Sequence, residues 1–177
     1  DAEKKDLARL VAGMFMVTPF ALLLLAQASS DFYRYSVSIL SLSLLVLVGA
    51  GIRYKGRLNP LIIFSVGGLG GLTGGLTGIP GPPVILLYVA SSHPISVIRA
   101  NNLLFLYFFD VCVVLFFLFT AVLTLKLVLL GSLLAVPNFL GNFLGAKFFN
   151  PQKTNQYRLF AYIIIATAAI SGLPVWD

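Results

Sequence analysis

The chain has 177 residues, of which 59% are hydrophobic and only 10% are charged, and its mean hydropathy is +0.98. A soluble domain of this size carries about 25% charged residues, because its surface faces water. The composition therefore excludes soluble enzyme folds and predicts an all-α polytopic membrane protein. The net charge of +6 is no sign of nucleic-acid binding, because Lys and Arg gather at the ends of apolar stretches, where they set topology.

Long apolar stretches divide the chain into candidate membrane spans. In chain order they are Leu10–Ala26, Ser36–Ile52, Leu61–Ala90, Ala100–Leu125, Leu127–Ala146 and Leu159–Trp176. A helix that spans the bilayer needs about 17 to 25 apolar residues, so every stretch is long enough. Asp110 is the only charged residue inside any of them. The sequence therefore predicts a multi-pass helical bundle in contact with membrane lipid.

The beginning of the chain suggests that more sequence precedes it. No signal-peptide pattern opens the chain, and the first methionine, Met14, lies inside a span. A proline within a span followed by a loop ending Tyr-Arg occurs twice, at Pro19 with Tyr33-Arg34 and at Pro137 with Tyr157-Arg158. We therefore predict one membrane domain over residues 1–177, with 1–59 as the tail of a first repeat and 60–177 as a second repeat. An N-terminal part of the first repeat is expected to be missing.

The distribution of Lys and Arg favours one topology for the Leu61–Ala90 stretch. If this stretch crosses the membrane once, the twelve Lys and Arg divide seven to five between the two sides. If it forms a re-entrant hairpin, they divide ten to two, with only Arg34 and Lys126 on the minority side. Because the Lys and Arg bias sets orientation, the hairpin is the better prediction. It gives the inverted repeat found in many secondary transporters, with the C-terminus outside.

The segment Gly67–Pro83, GGLGGLTGGLTGIPGPP, contains the candidate binding site. Glycines at four-residue spacing let helix backbones pack closely in lipid, which accounts for Gly67–Gly75. The three prolines within Pro80–Pro83 prevent regular helix. Broken helix at membrane depth is tolerated where it is buried or lines a cavity, and the freed amides attract anions. We predict substrate contacts at the break, from Gly78, Ile79, Pro80, Gly81 and Pro82.

The same residues resemble a known family. The run Gly67–Tyr88, followed by Arg99-Ala100-Asn101-Asn102, is similar to the second-repeat signature of the TauE/SafE family, the sulfite exporters and toluene-sulfonate uptake permeases. The resemblance is strongest over Gly74–Tyr88 and extends over Leu61–Pro174. It implies a transporter of small sulfur-containing anions, sulfite or sulfonate, in the bacterial inner membrane. It does not choose between the anions, between import and export, or between coupling ions.

Polar residues near the break are further candidates. Arg99 offers a guanidinium to an anion or anchors the helix at the interface. Asn101 and Asn102 open the helix after the hairpin, where they bind substrate or cap the helix. Asn138 and Asn142 lie one turn apart, and they line a cavity or bond a neighbouring helix. The substrate-binding candidates among these residues are Arg99, Asn101, Asn102 and Asn138. Asn142 is named only because it lies on the same helix face as Asn138.

Asp110 is the candidate proton-coupling group. A carboxylate in the middle of a span costs at least about 2.5 kcal/mol and normally faces the bundle interior. Arg99, Asn102, Leu106 and Asp110 are spaced to form one stripe on a helix. Asp110 either carries a proton with the anion or serves as a buried structural carboxyl, and the sequence leaves both open.

The function predicted is secondary active transport by alternating access, with a passive anion channel as the alternative. One histidine and one cysteine provide no metal cluster, so neither a cofactor nor an enzyme is predicted. No Walker sequence for ATP hydrolysis is present. The expected partners are a small anionic substrate and membrane lipid, and a homodimer through a glycine face is compatible with the sequence.

Overall fold

The structure is a computed structural model that describes residues 2–50, 59–89, 95–148 and 154–175. All regular structure in these residues is helical, as predicted. The helices are α1 (Ala2–Gln27), α2 (Ser30–Gly49), α3 (Pro60–Thr77), α4 (Gly81–Val89), α5 (Ile95–Phe119), α6 (Leu125–Phe148) and α7 (Thr154–Ser171). Within the described ranges, α1, α3, α5 and α6 each contain a segment long and apolar enough to cross a membrane. The chain is therefore a multi-pass membrane protein.

One glycine face of α3 packs against α1. A Cβ on Gly67 would collide with the backbone of Leu10, and one on Gly71 would lie 2.8 Å from the Met14 carbonyl oxygen. The Thr18 hydroxyl donates to that same carbonyl at 2.8 Å, so the polar group at this tight contact is satisfied. Only glycine lets the two backbones come this close. The predicted role of these glycines in helix packing is confirmed.

The opposite glycine face of α3 packs against α5 and against Pro80, which follows α3 in the chain. A Cβ on Gly70 would lie 2.8 Å from the Phe105 ring, and one on Gly74 would lie 2.5 Å from the Phe109 ring. Pro80 lies beside the same two glycines. Its carbonyl oxygen would be 2.9 Å from a Cβ on Gly70, and its own Cβ would be 2.7 Å from a Cβ on Gly74. The core of the protein forms around these contacts and includes Leu10, Met14, Val84, Tyr88, Phe105 and Phe109.

Two sets of contacts confirm the hairpin. Gly70 meets Phe105 and Gly74 meets Phe109, so α5 runs parallel to α3 and must begin at the same end. Because α3 and α5 run in the same direction, the segment between them must lead back to the end at which α3 begins. Helix α4 is that returning arm.

The second set joins α2 to α7. Arg34, near the start of α2, donates from Nε to the carbonyl of Gly172 at 3.1 Å, just after the end of α7. The two helices are therefore antiparallel, and the chain ends on the side where α2 begins. A single crossing by Leu61–Ala90 would have placed α7 parallel to α2.

The helices form two packing groups. In one, α1, α3, α4 and α5 share the core, and in the other, α2 packs against α7, with a smaller contact between α2 and α3 joining them. Every side chain described in α6 is exposed. The inverted repeat itself stays a prediction, although α2 and α7, which it pairs, do run in opposite directions.

Candidate functional site

The helix break has a defined backbone path. Gly78 ends α3 in the left-handed conformation, with φ 76°, and its N–H donates to the Gly74 carbonyl at 2.7 Å. Glycine is the residue that adopts this conformation without strain. The chain then turns back through Ile79 and the buried Pro80 to start α4 at the buried Gly81. The break residues predicted from sequence therefore connect the two arms of the hairpin.

The first residue of α4 lies at about two thirds of the length of α3. Pro80 contacts Gly70 and Gly74, which follow Pro60 by about 15 and 21 Å along a helix that rises about 1.5 Å per residue. A helix N-terminus carries a partial positive charge of roughly half an elementary charge. The N-terminus of α4 thus directs positive potential inward, and Gly81 supplies its free N–H, because Pro82 and Pro83 have none.

Asn102 is the polar side chain closest to this N-terminus. Its Oδ1 is buried, has no hydrogen-bond partner among the residues that the structure describes, and lies 4.0 Å from the position of a Cβ on Gly81. A buried acceptor without a donor costs about 1–3 kcal/mol. Such an atom is suited to accept a hydrogen bond from water or from a protonated ligand at the break. Asn102 therefore shares a site with Gly81.

Asn101 occupies a different place. It is buried and donates from Nδ2 to the Tyr88 hydroxyl at 3.2 Å, joining α5 to the far end of α4. Tyr88 follows Gly81 by seven residues, or about 10 Å of helix. The geometry thus favours a structural role for Asn101, while its predicted role in substrate binding stays a prediction.

Replacing Tyr88 with phenylalanine tests the role of Asn101. The variant leaves the buried amide without the tyrosine hydroxyl, so we expect the free energy of unfolding to fall by about 1–3 kcal/mol. Substrate affinity should stay unchanged, since the break is not touched. Unfolding in detergent and substrate binding would be measured on the same samples. A loss of affinity at full stability would instead place Asn101 in the binding site.

Arg99 and Asp110 are both exposed on α5. The prediction that Asp110 faces the interior is wrong for the described chain. The reason is that α5 buries Phe105, Phe109 and Cys112, and Asp110 follows Phe109 by about 100° around the helix. The predicted stripe, with Asn102 and Leu106 half-buried between two exposed ends, runs along the edge of the buried face.

Asn138 of α6 does not share a buried site with the break. Asn138 is exposed, as are all the α6 side chains that the structure describes. The side chain of Asn142 lies outside the described residues. The binding role predicted for Asn138 therefore gains no support from its position.

One cavity reaches the break from the α2–α7 side, and a second cavity adjoins it. The hairpin chamber, about 320 Å³, is lined by residues that include Ser41, Leu45, Ile79, Pro82, Leu86 and Tyr162. The Arg34 chamber, about 340 Å³, is lined by residues that include Tyr33, Arg34, Ser38, Ala169 and Gly172. Ser41 and Ile165 line both. Arg99 lines neither chamber, so the cation facing this space is Arg34.

The sequence predicts Ile79 and Pro82 among the residues that line the chambers, but none of those from α2 or α7. Ser38, Ser41 and Tyr162 come from helices that appear plain and apolar in sequence. A signal was present in α2, because Arg34, Ser38 and Ser41 lie at positions i, i+4 and i+7 on one helix face. Within the described residues, no group of three His, Cys, Asp or Glu side chains could hold a metal ion.

Comparison with known proteins gives a family. No curated protein matches the chain, and no solved structure matches it. The family model described as "Sulfite exporter TauE/SafE" matches residues 1–172, nearly the whole chain. The match includes the glycine faces of α3, the break and both chambers. The chain therefore belongs to the sulfite exporter TauE/SafE family, a family of membrane transporters.

Proposed function

We propose that the protein is a secondary active transporter that moves a small sulfur-containing anion, sulfite or sulfonate, across the bacterial inner membrane. The observation that carries this proposal is the break at Gly78–Pro82, where α4 begins within the depth of α3, about two thirds of the way along it, beside a cavity. Half-helices whose N-termini meet a cavity near the bilayer midplane bind anionic groups in secondary transporters. Membership of the sulfite exporter family supports the choice of anion.

Alternating access is supported by the two packing groups. The hairpin chamber lies between α4 of the first group and the α2–α7 pair of the second. Glycines of α3 pack against the backbone of α1 and against the phenylalanine rings of α5, whereas the walls of the chamber meet mainly through apolar side chains. Rocking α2 and α7 against the rest would therefore open and close the chamber without disturbing the tightest contacts. This is the motion expected of a transporter built from repeats.

Proton coupling is assigned to Asp110. It lies one turn beyond Leu106, whose side chain lies 3.6 Å from the position of a Cβ on Gly81, so Asp110 and the break are neighbours along α5. A carboxyl within a span is costly to keep charged, and such groups serve as proton relays in pumps and transporters. Asp110 would take up a proton with the anion and release it on the other side.

Asp110→Asn tests the coupling. In proteoliposomes containing the full-length protein, we expect the variant to lose accumulation of sulfite driven by a proton gradient. Exchange of labelled for unlabelled sulfite should persist, because it needs no net proton movement. Asp31→Asn, at the start of α2, is the matched control and should accumulate sulfite normally. Gradient-driven accumulation by Asp110→Asn equal to that of the wild type would contradict the assignment.

The alternative function is a passive anion channel that uses the same break as a selectivity element. The two functions differ in flux. Saturable transport that accumulates the anion against its gradient supports the transporter, and large currents proportional to voltage, without accumulation, support the channel. Electrical recording and isotope uptake from one preparation distinguish them.

A further inference from the structure

Arg34 lies at the rim of a cavity and is held in place by the end of a helix. Its guanidinium donates from Nε to the Gly172 carbonyl at 3.1 Å and from Nη2 to the Leu173 carbonyl at 3.4 Å. Carbonyls at a helix C-terminus carry partial negative charge, which favours a cation there. The side chain is half-buried and lines the Arg34 chamber. A fixed positive charge therefore faces this space.

The cavity continues from Arg34 to the break. The two chambers meet at Ser41 and Ile165, and α2 provides the polar side of the path through Arg34, Ser38 and Ser41. Seven residues of helix separate Arg34 from Ser41, which is about 10 Å, and Leu45 lies about 16 Å from Arg34. The joined space is thus elongated, with its charge at one end.

The other end of this space is apolar. The hairpin chamber is lined by Leu44, Leu45, Ile85, Leu86 and Ile165, with Ser41 and Tyr162 as its polar side chains. An inorganic oxyanion loses water in such surroundings and gains few hydrogen bonds in return. A molecule with a charged head and an apolar body gains binding free energy at both ends. Its body leaves water, and its head contacts a guanidinium.

We propose that the two chambers together form a second subsite, separate from the one beside Gly81 and Asn102, for an amphiphilic organic anion, with its head against Arg34 and its apolar body extending toward the hairpin. This inference rests on the proposed transport function. It adds that Arg34 selects the anionic head and that the apolar walls of the hairpin chamber select the body. It assigns anion selectivity to Arg34 rather than to Arg99.

A series of alkanesulfonates tests the subsite in the full-length protein. Ethanesulfonate, butanesulfonate and hexanesulfonate would compete for uptake of labelled sulfite into proteoliposomes. We expect each added methylene to tighten binding up to about fourfold, the gain for burying one methylene fully. Hexylammonium, of equal length and opposite charge, should not compete. Equal affinity across the series would overturn the proposal.

Variants separate the head from the body. Arg34→Gln should weaken every sulfonate, and Arg34→Lys, which keeps the charge, should retain most of the affinity. Lys126→Gln is the control, since the topology places Lys126 on the same side as Arg34 and outside both chambers. Leu86→Trp, which fills the hairpin chamber, should abolish the gain from tail length while short anions still bind. Unchanged tail dependence in Leu86→Trp would contradict the proposal.

The outcomes also separate this inference from the function on which it depends. Gradient-driven sulfite flux with no effect of tail length or of Arg34→Gln leaves the transporter proposal standing and overturns the subsite. Absence of flux for every sulfur anion overturns both. A tail-length effect that disappears when phosphatidylglycerol is added to the vesicles would identify the space as a lipid site and overturn its role in substrate binding.

Discussion

Replacing Gly67 with alanine is expected to destabilise the protein by about 1–3 kcal/mol or more, the cost of overpacking a close contact. The added Cβ would collide with the carbonyl oxygen of Leu10 and lie 2.7 Å from its carbonyl carbon. These are backbone atoms of α1, so no side chain can rotate away and the helices must separate. The fraction of folded protein in detergent, followed through a denaturant titration, measures the effect.

Gly141→Ala is the matched control for this experiment. No atom of the described residues lies within 4 Å of a Cβ at Gly141, which is exposed on α6. Alanine is favoured over glycine in a helix interior by about 0.5–1 kcal/mol, so this variant should be as stable as the wild type or slightly more stable. Equal stability of the Gly67 and Gly141 variants would mean that α1 and α3 are not in close backbone contact.

Replacing Gly81 with leucine is expected to abolish substrate binding while the protein stays folded. A Cβ at this position meets only ordinary contacts, 3.6 Å from Leu106 and 4.0 Å from Asn102 Oδ1, so the backbone tolerates a side chain. The rest of the leucine would occupy the space between the N-terminus of α4 and Asn102. Gly81→Ala should give an intermediate loss of affinity, and Gly131→Leu, on exposed α6, should bind normally.

Binding of labelled sulfite to purified protein and elution from a sizing column would be measured together for the three variants. A folded Gly81→Leu protein with wild-type affinity would show that the anion does not bind at the break. Loss of affinity in Gly131→Leu would indicate that leucine substitutions disturb this protein wherever they are placed.

The fold was largely predictable because its main signals are local. Apolar length located the helices, glycine spacing predicted the two faces of α3, and the prolines located the break. The hairpin was predictable for a different reason. A single extra crossing moves Arg99, Lys147, Lys153 and Arg158 to the other side of the membrane, so the charge pattern depends strongly on the path of one segment.

The position of the break was predictable from the sequence, but not which side chains surround it. The orientation of Asp110 depends on which face of α5 meets α3, and Phe105 and Phe109 determine that by filling the space over Gly70 and Gly74. Arg34 is held in position by a hydrogen bond to the carbonyl of Gly172 at the end of α7, more than a hundred residues away in sequence. Contacts of this kind arise from tertiary packing, which leaves no periodic pattern in one sequence.

The depth at which α4 begins has an electrical consequence. An anion held at the proposed site beside Gly81 would lie about two thirds of the way along α3, a helix long and apolar enough to cross a bilayer. Moving one elementary charge across the whole membrane changes its energy by about 2.3 kcal/mol per 100 mV. An anion bound there would therefore experience a substantial part of the resting voltage before any helix moves. At such a site the membrane potential itself would bias the direction of transport.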